Sequence, residues 1–242
     1  SKMVIDDGQD DTAFFLKCLS AYRQENFNEA MKNLKDFIKR YPSGRYTEKA
    51  WFLRAEAYEQ LYSNSVSAHF KKITAYYQDA VNKFPQSIYA QDALVSIADL
   101  YFKMNYLTEA LGYYNYILKQ GKNFSKSLHA MIQKAKILIL KKKFKTARSL
   151  LDKVFAGNPD KHMKTQAKLL MSKLLYETNA FSQSLDILYK LKTQNSEKPY
   201  QYPEIFLYTG NNYYELGDTS RARKNLFRYY NLSPHGADRD LI

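Results

Sequence analysis

The sequence predicts an all-α fold, an array of helical hairpins stacked one on the next. Three observations carry that prediction. Large, small and aromatic residues recur at helical spacing. The same phrases return at nearly constant intervals. The 242 residues also include only 8 Gly and 6 Pro, too few for a turn-rich sheet protein. Aromatic side chains are abundant, with 22 Tyr and 14 Phe against one Trp. Stacked hairpins use many such knobs, because each hairpin fills the space beside its neighbour's small residues.

The clearest unit runs from Trp51 to Pro85. Trp51, Ala55 and Tyr58 fall on one face of a first helix. A polar insertion near Ser63-Asn-Ser-Val-Ser-Ala-His69 leads to a second helix that carries Ile73, Tyr77 and Ala80 and stops at Pro85, which cannot continue a helix. Tyr46, Ala50, Ala55 and Tyr58 align with Tyr89, Ala93, Ala98 and Tyr101, 43 residues later, and each copy follows a proline, Pro42 or Pro85. Further copies run from His129 to Ala135, from Ala167 through Ser172 to Tyr176, and from Ile205 through Gly210 to Tyr213. Phe14, Cys18 and Ala21 take the same places in a degenerate first unit.

The second helices open on a shared phrase: Phe27-Asn-Glu-Ala30, Leu107-Thr-Glu-Ala110, Phe144-Lys-Thr-Ala147, Phe181-Ser-Gln-Ser184 and Thr219-Ser-Arg-Ala222. An Asn, Thr or Ser just inside is expected to supply the N-cap oxygen. From Ala110 onward the spacing is 37, 37 and 38 residues. Six hairpins are expected, over 12–42, 46–85, 89–122, 126–159, 162–196 and 202–234. Residues 1–11, polar and acidic, read as a disordered lead-in. Residues 235–242 read as the start of a further unit or a tail.

A large residue, a small one and a Tyr on the first helix, with Ala and Pro on the second, resemble the tetratricopeptide repeat (TPR), whose usual period is 34. The resemblance covers nearly the whole chain. It departs in the longer spacing, in Ser184 where Ala is usual, and in the first unit. It implies a right-handed superhelical TPR solenoid of about six hairpins, whose first helices line a concave wall that holds a protein or peptide segment. The long period and the Tyr-Pro-x-x-x-Tyr linker also resemble bacterial cell-envelope TPR proteins. Examples are the lipoprotein of the outer-membrane β-barrel assembly machine and the periplasmic cell-division coordinators. That implies a place in the bacterial periplasm or cell envelope.

The inward positions implied by the resemblance are Tyr22, Arg23, Phe52, Val95, Asp99, Phe102, Ile132 and Lys136, followed by Ile139, Leu169, Lys173, Tyr176, Leu207, Asn211 and Tyr214. This mixture of apolar anchors, amides and charges suits an extended or helical peptide. TPR proteins that clamp a C-terminal carboxylate use a Lys, Asn and Arg set. Only Lys136, Lys173 and Asn211 correspond to parts of it, so a clamp is not expected.

The net charge of +13 suits either an anionic partner or a lysine-rich solvated surface. Lys141, Lys142, Lys143 and Lys145 cluster at the turn of the fourth hairpin. They either complement the helix dipole or form an anion-binding edge for nucleic acid or anionic lipid. Nucleic acid is the weaker of these partners. Helical arrays that read RNA stack one base per repeat on regularly placed side chains, and the chain has no such code.

No cofactor, metal site or enzymatic activity is expected. His69, His129, His162 and His235 lack metal-ligand spacing, the glycines are isolated, and no titratable group converges with others in sequence. Gly217 reads as a helix C-cap. The single cysteine, Cys18, excludes a disulfide framework and reads as a buried, inert thiol. No apolar run approaches the roughly 20 residues needed to cross a bilayer, so membrane attachment would need an anchor or partner outside this chain. The opening residues do not read as a leader, and the sequence leaves open whether the natural chain extends beyond residues 1 and 242.

Overall fold

Each repeated phrase folds into a pair of helices. The computed structural model describes residues 7–121 and 124–233, and among them twelve α-helices and no strand. The first three hairpins are α1 (Asp7–Arg23) with α2 (Phe27–Arg40), α3 (Thr47–Leu61) with α4 (Val66–Lys83), and α5 (Ala90–Lys103) with α6 (Leu107–Gln120). The last three are α7 (Phe124–Leu140) with α8 (Phe144–Ala156), α9 (Lys161–Glu177) with α10 (Phe181–Gln194), and α11 (Glu204–Glu215) with α12 (Thr219–Leu232). Two compact units can be distinguished, residues 1–126 and 127–242, with the boundary in the first turn of α7.

Helix α1 starts inside the stretch expected to be disordered. Two acidic residues account for this. Asp10 accepts hydrogen bonds from Arg40 at 2.6 Å and from the Tyr41 hydroxyl at 2.9 Å. Asp11 is buried and accepts from the Arg45 backbone N–H at 3.2 Å. Together they dock the start of α1 onto the connection that follows α2. Residues 1–6 and 235–242, including His235, lie outside the described residues.

Five of the six hairpin turns share one geometry. Glu25, Asn105, Lys142, Asn179 and Gly217 each occupy the left-handed region, with φ between 54° and 77°. In every case the next residue's N–H reaches back five residues, and the left-handed residue's own N–H reaches back three. Asn26 donates to the Ala21 carbonyl and Glu25 to that of Tyr22, for example, and Asp218 donates to Tyr213 and Gly217 to Tyr214. These bonds satisfy carbonyls that the ending helix would leave bare. Only one of the five turns has the glycine that this conformation favours. The second hairpin differs, as its insertion requires: Tyr62 and a 3-10 turn at Ser63–Ser65 lead into α4.

The capping expectation fails in detail. Asn26 caps α2 and Asp218 caps α12 through side-chain oxygens, while the starts of α6, α8 and α10 have no side-chain cap. The turn sets the aromatic or Leu at the first helical position, so the cap falls one residue before the phrase rather than within it.

The helices of a hairpin approach closely through small residues. Cys18, Ala55, Ala98, Ala135 and Ser172 on the first helices have no exposed surface, and Gly210 on α11 is buried. Facing residues on the second helices are Ala30, Ala110, Ala147, Ser184 and Ala222, exposed by 2 % or less. The approach is tightest in the last hairpin, where a Cβ on Gly210 would lie 2.6 Å from Leu226 Cγ. The fifth hairpin replaces the alanine pair with serines, and the Ser184 hydroxyl donates to the Ser172 carbonyl at 2.9 Å. In α4 the sizes are exchanged: aligned on Tyr41 and Phe84, Ile73 stands where Ala30 does and Ala80 where Phe37 does, and both are fully buried.

Substituting Ala55 or Ala98 by Leu overpacks these contacts and is expected to cost roughly 1–3 kcal/mol, read as a lowered melting temperature. Lys142→Gly removes the left-handed penalty at a solvent-exposed turn and is expected to stabilise the fold by about 1 kcal/mol, measured by denaturant unfolding.

Candidate protein-binding faces of the first helices

The first helices pack against second helices on two sides, as α3 does against α2 and α4 and α9 against α8 and α10. The residues named from sequence divide by burial. Phe52, Ile132, Ile139, Leu169 and Leu207 are only 2–8 % exposed. Phe52 belongs to the core of its unit, with its ring 5.8 Å from that of Tyr89. Tyr22, Val95, Asp99, Phe102, Lys173, Tyr176 and Asn211 are half-buried, and Arg23, Lys136 and Tyr214 are exposed. Apart from Val95, the accessible members are therefore polar or aromatic, and the other aliphatic ones serve the core.

In unit 1 this face carries carboxylates. Glu56 and Glu59 stand one and four residues after Ala55, the spacing that places Asp99 and Phe102 after Ala98. The same count finds both glutamates, which the sequence reading passed over. Two second-helix tyrosines hold this row from beneath. Tyr77 donates to Glu59 at 2.6 Å, and Tyr114 donates to Asp99 at 2.5 Å. Both phenols are pushed far up by burial and by those carboxylates, so they stay neutral donors. Asp92 pairs with Lys126 at 2.5 Å. Burial raises the Glu56 carboxyl above its ordinary range, helped by Asp92 and Glu59 and opposed by Lys49.

In unit 2 the first helices enclose a cleft of about 220 Å³. Ile132, Gln133 and Lys136 come from α7, His162, Gln166 and Leu169 from α9, and Tyr202, Glu204 and Tyr208 from α11 and the segment before it. Three of the expected residues, Ile132, Lys136 and Leu169, thus meet in one place. His162 Nδ1 lies 2.8 Å from the Tyr202 hydroxyl at the rim. Lys173 stands 6.0 Å from the centre of the Tyr208 ring, and Tyr176 donates to Glu215 at 3.1 Å. His162 and Gln166 lie in the first turns of α9 and Tyr202 in the segment before α11, outside the stripe counted from the key residues, and only their proximity in the fold reveals them.

Lys141, Lys142, Lys143 and Lys145 are all exposed around the turn between α7 and α8. The Cys18 thiol is fully buried, and burial pushes it up to about 11. Among the described residues no group of three His, Cys, Asp or Glu could hold a metal ion, and no helix is long and apolar enough to cross a membrane.

Residues 13–44 match the family model for the tetratricopeptide repeat. No curated protein matches the sequence. Among solved structures, the fold is similar to that of a tetratricopeptide repeat protein from Parabacteroides merdae, with 16 % identity, TM-score 0.73, and 93 % of this chain and 80 % of that one covered. It is also similar to PilW, a widely conserved type IV pilus biogenesis factor, with 16 % identity, TM-score 0.67 and coverage of 96 % and 98 %. A third is YrrB, a TPR protein with an unusual peptide-binding site, with 16 % identity, TM-score 0.52 and coverage of 81 % and 92 %. The architecture is that of TPR solenoids.

The raised Glu56 carboxyl makes a pH prediction. The folded state keeps this proton to higher pH than the unfolded chain, whose ordinary value is 4.5. The group's contribution is therefore complete below that value and is lost as pH rises through the folded one. Glu56→Gln is expected to raise the melting temperature at neutral pH and to match the wild type below pH 4.5.

Proposed function

We propose that this chain, whose fold is that of tetratricopeptide-repeat solenoids, is a non-enzymatic scaffold that binds a protein segment along its first-helix faces, within a bacterial cell-envelope assembly. One observation carries the reading. The cleft of unit 2 draws apolar floor and polar rim from three successive first helices, α7, α9 and α11, and none of that rim is needed to close a hairpin. A peptide lying across them would set side chains on Ile132 and Leu169 and meet Lys136, Gln166 and Glu204 at the edges. In unit 1 the carboxylate row of Glu56, Glu59 and Asp99 favours a segment that brings cations. TPR proteins are in general protein-interaction scaffolds, and the peptide-binding site of YrrB is consistent with this use of the fold.

The envelope setting rests on the linker phrase and long period, and it agrees with the pilus-biogenesis role of the similar PilW. The second reading is an anion-binding edge for nucleic acid or anionic lipid, supported by the four exposed lysines in one turn, Lys141, Lys142, Lys143 and Lys145.

The test is selection from a random-peptide display library against the purified chain, followed by affinity measurements on a Phe102→Ser, Tyr176→Ser, Tyr214→Ser variant. Phe52 is left intact because it belongs to the core. Selected peptides are expected to lose about ten-fold or more in affinity, since interfaces depend on a few aromatic anchors, while the melting temperature holds. Unchanged affinity would refute the assignment of the faces.

A further inference from the structure

The excess positive charge is not evenly spread. Residues 127–242 contain 20 Lys and Arg against 10 Asp and Glu, whereas residues 1–126 contain 17 against 14. The difference falls at equivalent places in the repeats. Six residues after Ala30, Ala110, Ala147, Ser184 and Ala222 stand Asp36, Tyr116, Lys153, Lys190 and Arg228. In the second hairpin, aligned on Tyr41 and Phe84, the place belongs to Asp79.

In unit 1 two of these places hold an acid, Asp36 and Asp79. Asp79 supports the charge of Arg54, and Lys17 and Asp36 act with opposite sign on Cys18. In unit 2 the corresponding neighbours are like-charged. Lys134 faces Lys153, Lys168 faces Lys164 and Lys190, and Lys192 faces Lys224 and Arg228. Burial first, and then these neighbours, make Lys134, Lys168 and Lys192 easier to deprotonate. Lys192 and Arg228 crowd over one ring, 5.4 and 4.5 Å from the centre of Phe206. None of these eight cations forms an ion pair among the described residues.

Exposed rings accompany the cations. Tyr189, 74 % exposed, precedes Lys190 on α10, and Phe227, 65 % exposed, precedes Arg228 on α12. Lys224, Phe227 and Arg228 share one helix face. Unpaired cations beside protruding rings, one a phenol and one a phenyl, suit the headgroup region of a bilayer, where cations meet lipid phosphates and rings enter the interface. A single-stranded nucleic acid needs rings inside a basic groove that tracks its backbone. Here the cleft formed by Lys161, Lys164, Lys168, Gln194 and Asn195 contains no ring, and the rings stand outside it.

We propose that the second-helix face of unit 2, centred on α10 and α12, docks on an anionic lipid bilayer. The surface is separate from the first-helix faces, so one unit can hold a membrane and a protein segment together. It also uses residues other than the lysine turn between α7 and α8.

The test is sedimentation of the full chain with phosphatidylcholine vesicles, with and without phosphatidylglycerol, at physiological salt. Wild type is expected to bind only the vesicles that contain phosphatidylglycerol. Lys190→Ala and Arg228→Ala should each weaken binding about five-fold. Tyr189→Ser with Phe227→Ser should weaken vesicle binding and leave any affinity for a single-stranded oligonucleotide unchanged. All four side chains are exposed, and circular dichroism melts check that the variants stay folded. Absence of binding to the anionic vesicles would overturn the proposal. So would equal binding to neutral vesicles, tighter binding to the oligonucleotide, or indifference to the ring substitutions. The peptide-affinity variant Phe102→Ser, Tyr176→Ser, Tyr214→Ser should still sediment, which keeps this test independent of the first-helix reading.

Discussion

The close approach of two helices at a pair of small residues is the constraint on which this architecture rests. Where Cys18, Ala55, Ala98, Ala135, Ser172 or Gly210 meets the second helix, there is no room for a larger side chain, as the Cβ position at Gly210 makes plain. Bringing the backbones together there lets the large residues on either side interlock, and dispersion in such packed regions is collectively large. Hydrophobic burial alone would tolerate many arrangements; small residues at a fixed spacing select one crossing. The Ser184 hydroxyl shows how strict the demand is, because a polar group admitted at the contact takes a backbone carbonyl as its partner.

Most of the fold was legible for the same reason. The small residues and the prolines recur at helical spacing, and they place six hairpins within a few residues of their observed ends. Local capping and the division into units were not legible. The turn geometry depends on backbone hydrogen bonds that Glu25 or Lys142 satisfies as readily as Gly217, so residue identity barely marks it. The acidic start of α1 looked disordered because its partners, Arg40, Tyr41 and Arg45, lie some 30 residues away in sequence. The first-helix faces were half legible. Counting from the small residue finds Lys136, Asp99 and Tyr176. It does not say that Phe52 and Leu207 are consumed by the core, and it cannot bring His162 to Tyr202.

Charge adds a second layer of organisation to a shared scaffold. Unit 1 sets acids at two of the outer positions and lines its first helices with carboxylates, two of them anchored by buried tyrosines. Unit 2 leaves cations facing one another across equivalent positions. The same backbone geometry therefore presents surfaces of different sign, and the difference comes from side chains that the fold does not require. Net charge alone would have described the chain as uniformly basic.

The exchange of sizes between Ile73 and Ala80 has its own evolutionary meaning. Repeat proteins are commonly pictured as strings of interchangeable parts, lengthened by duplication and shortened by loss. The second hairpin has left that pool. Its longer connection and its exchanged sizes occur together, so this hairpin cannot be superposed on the others side chain for side chain.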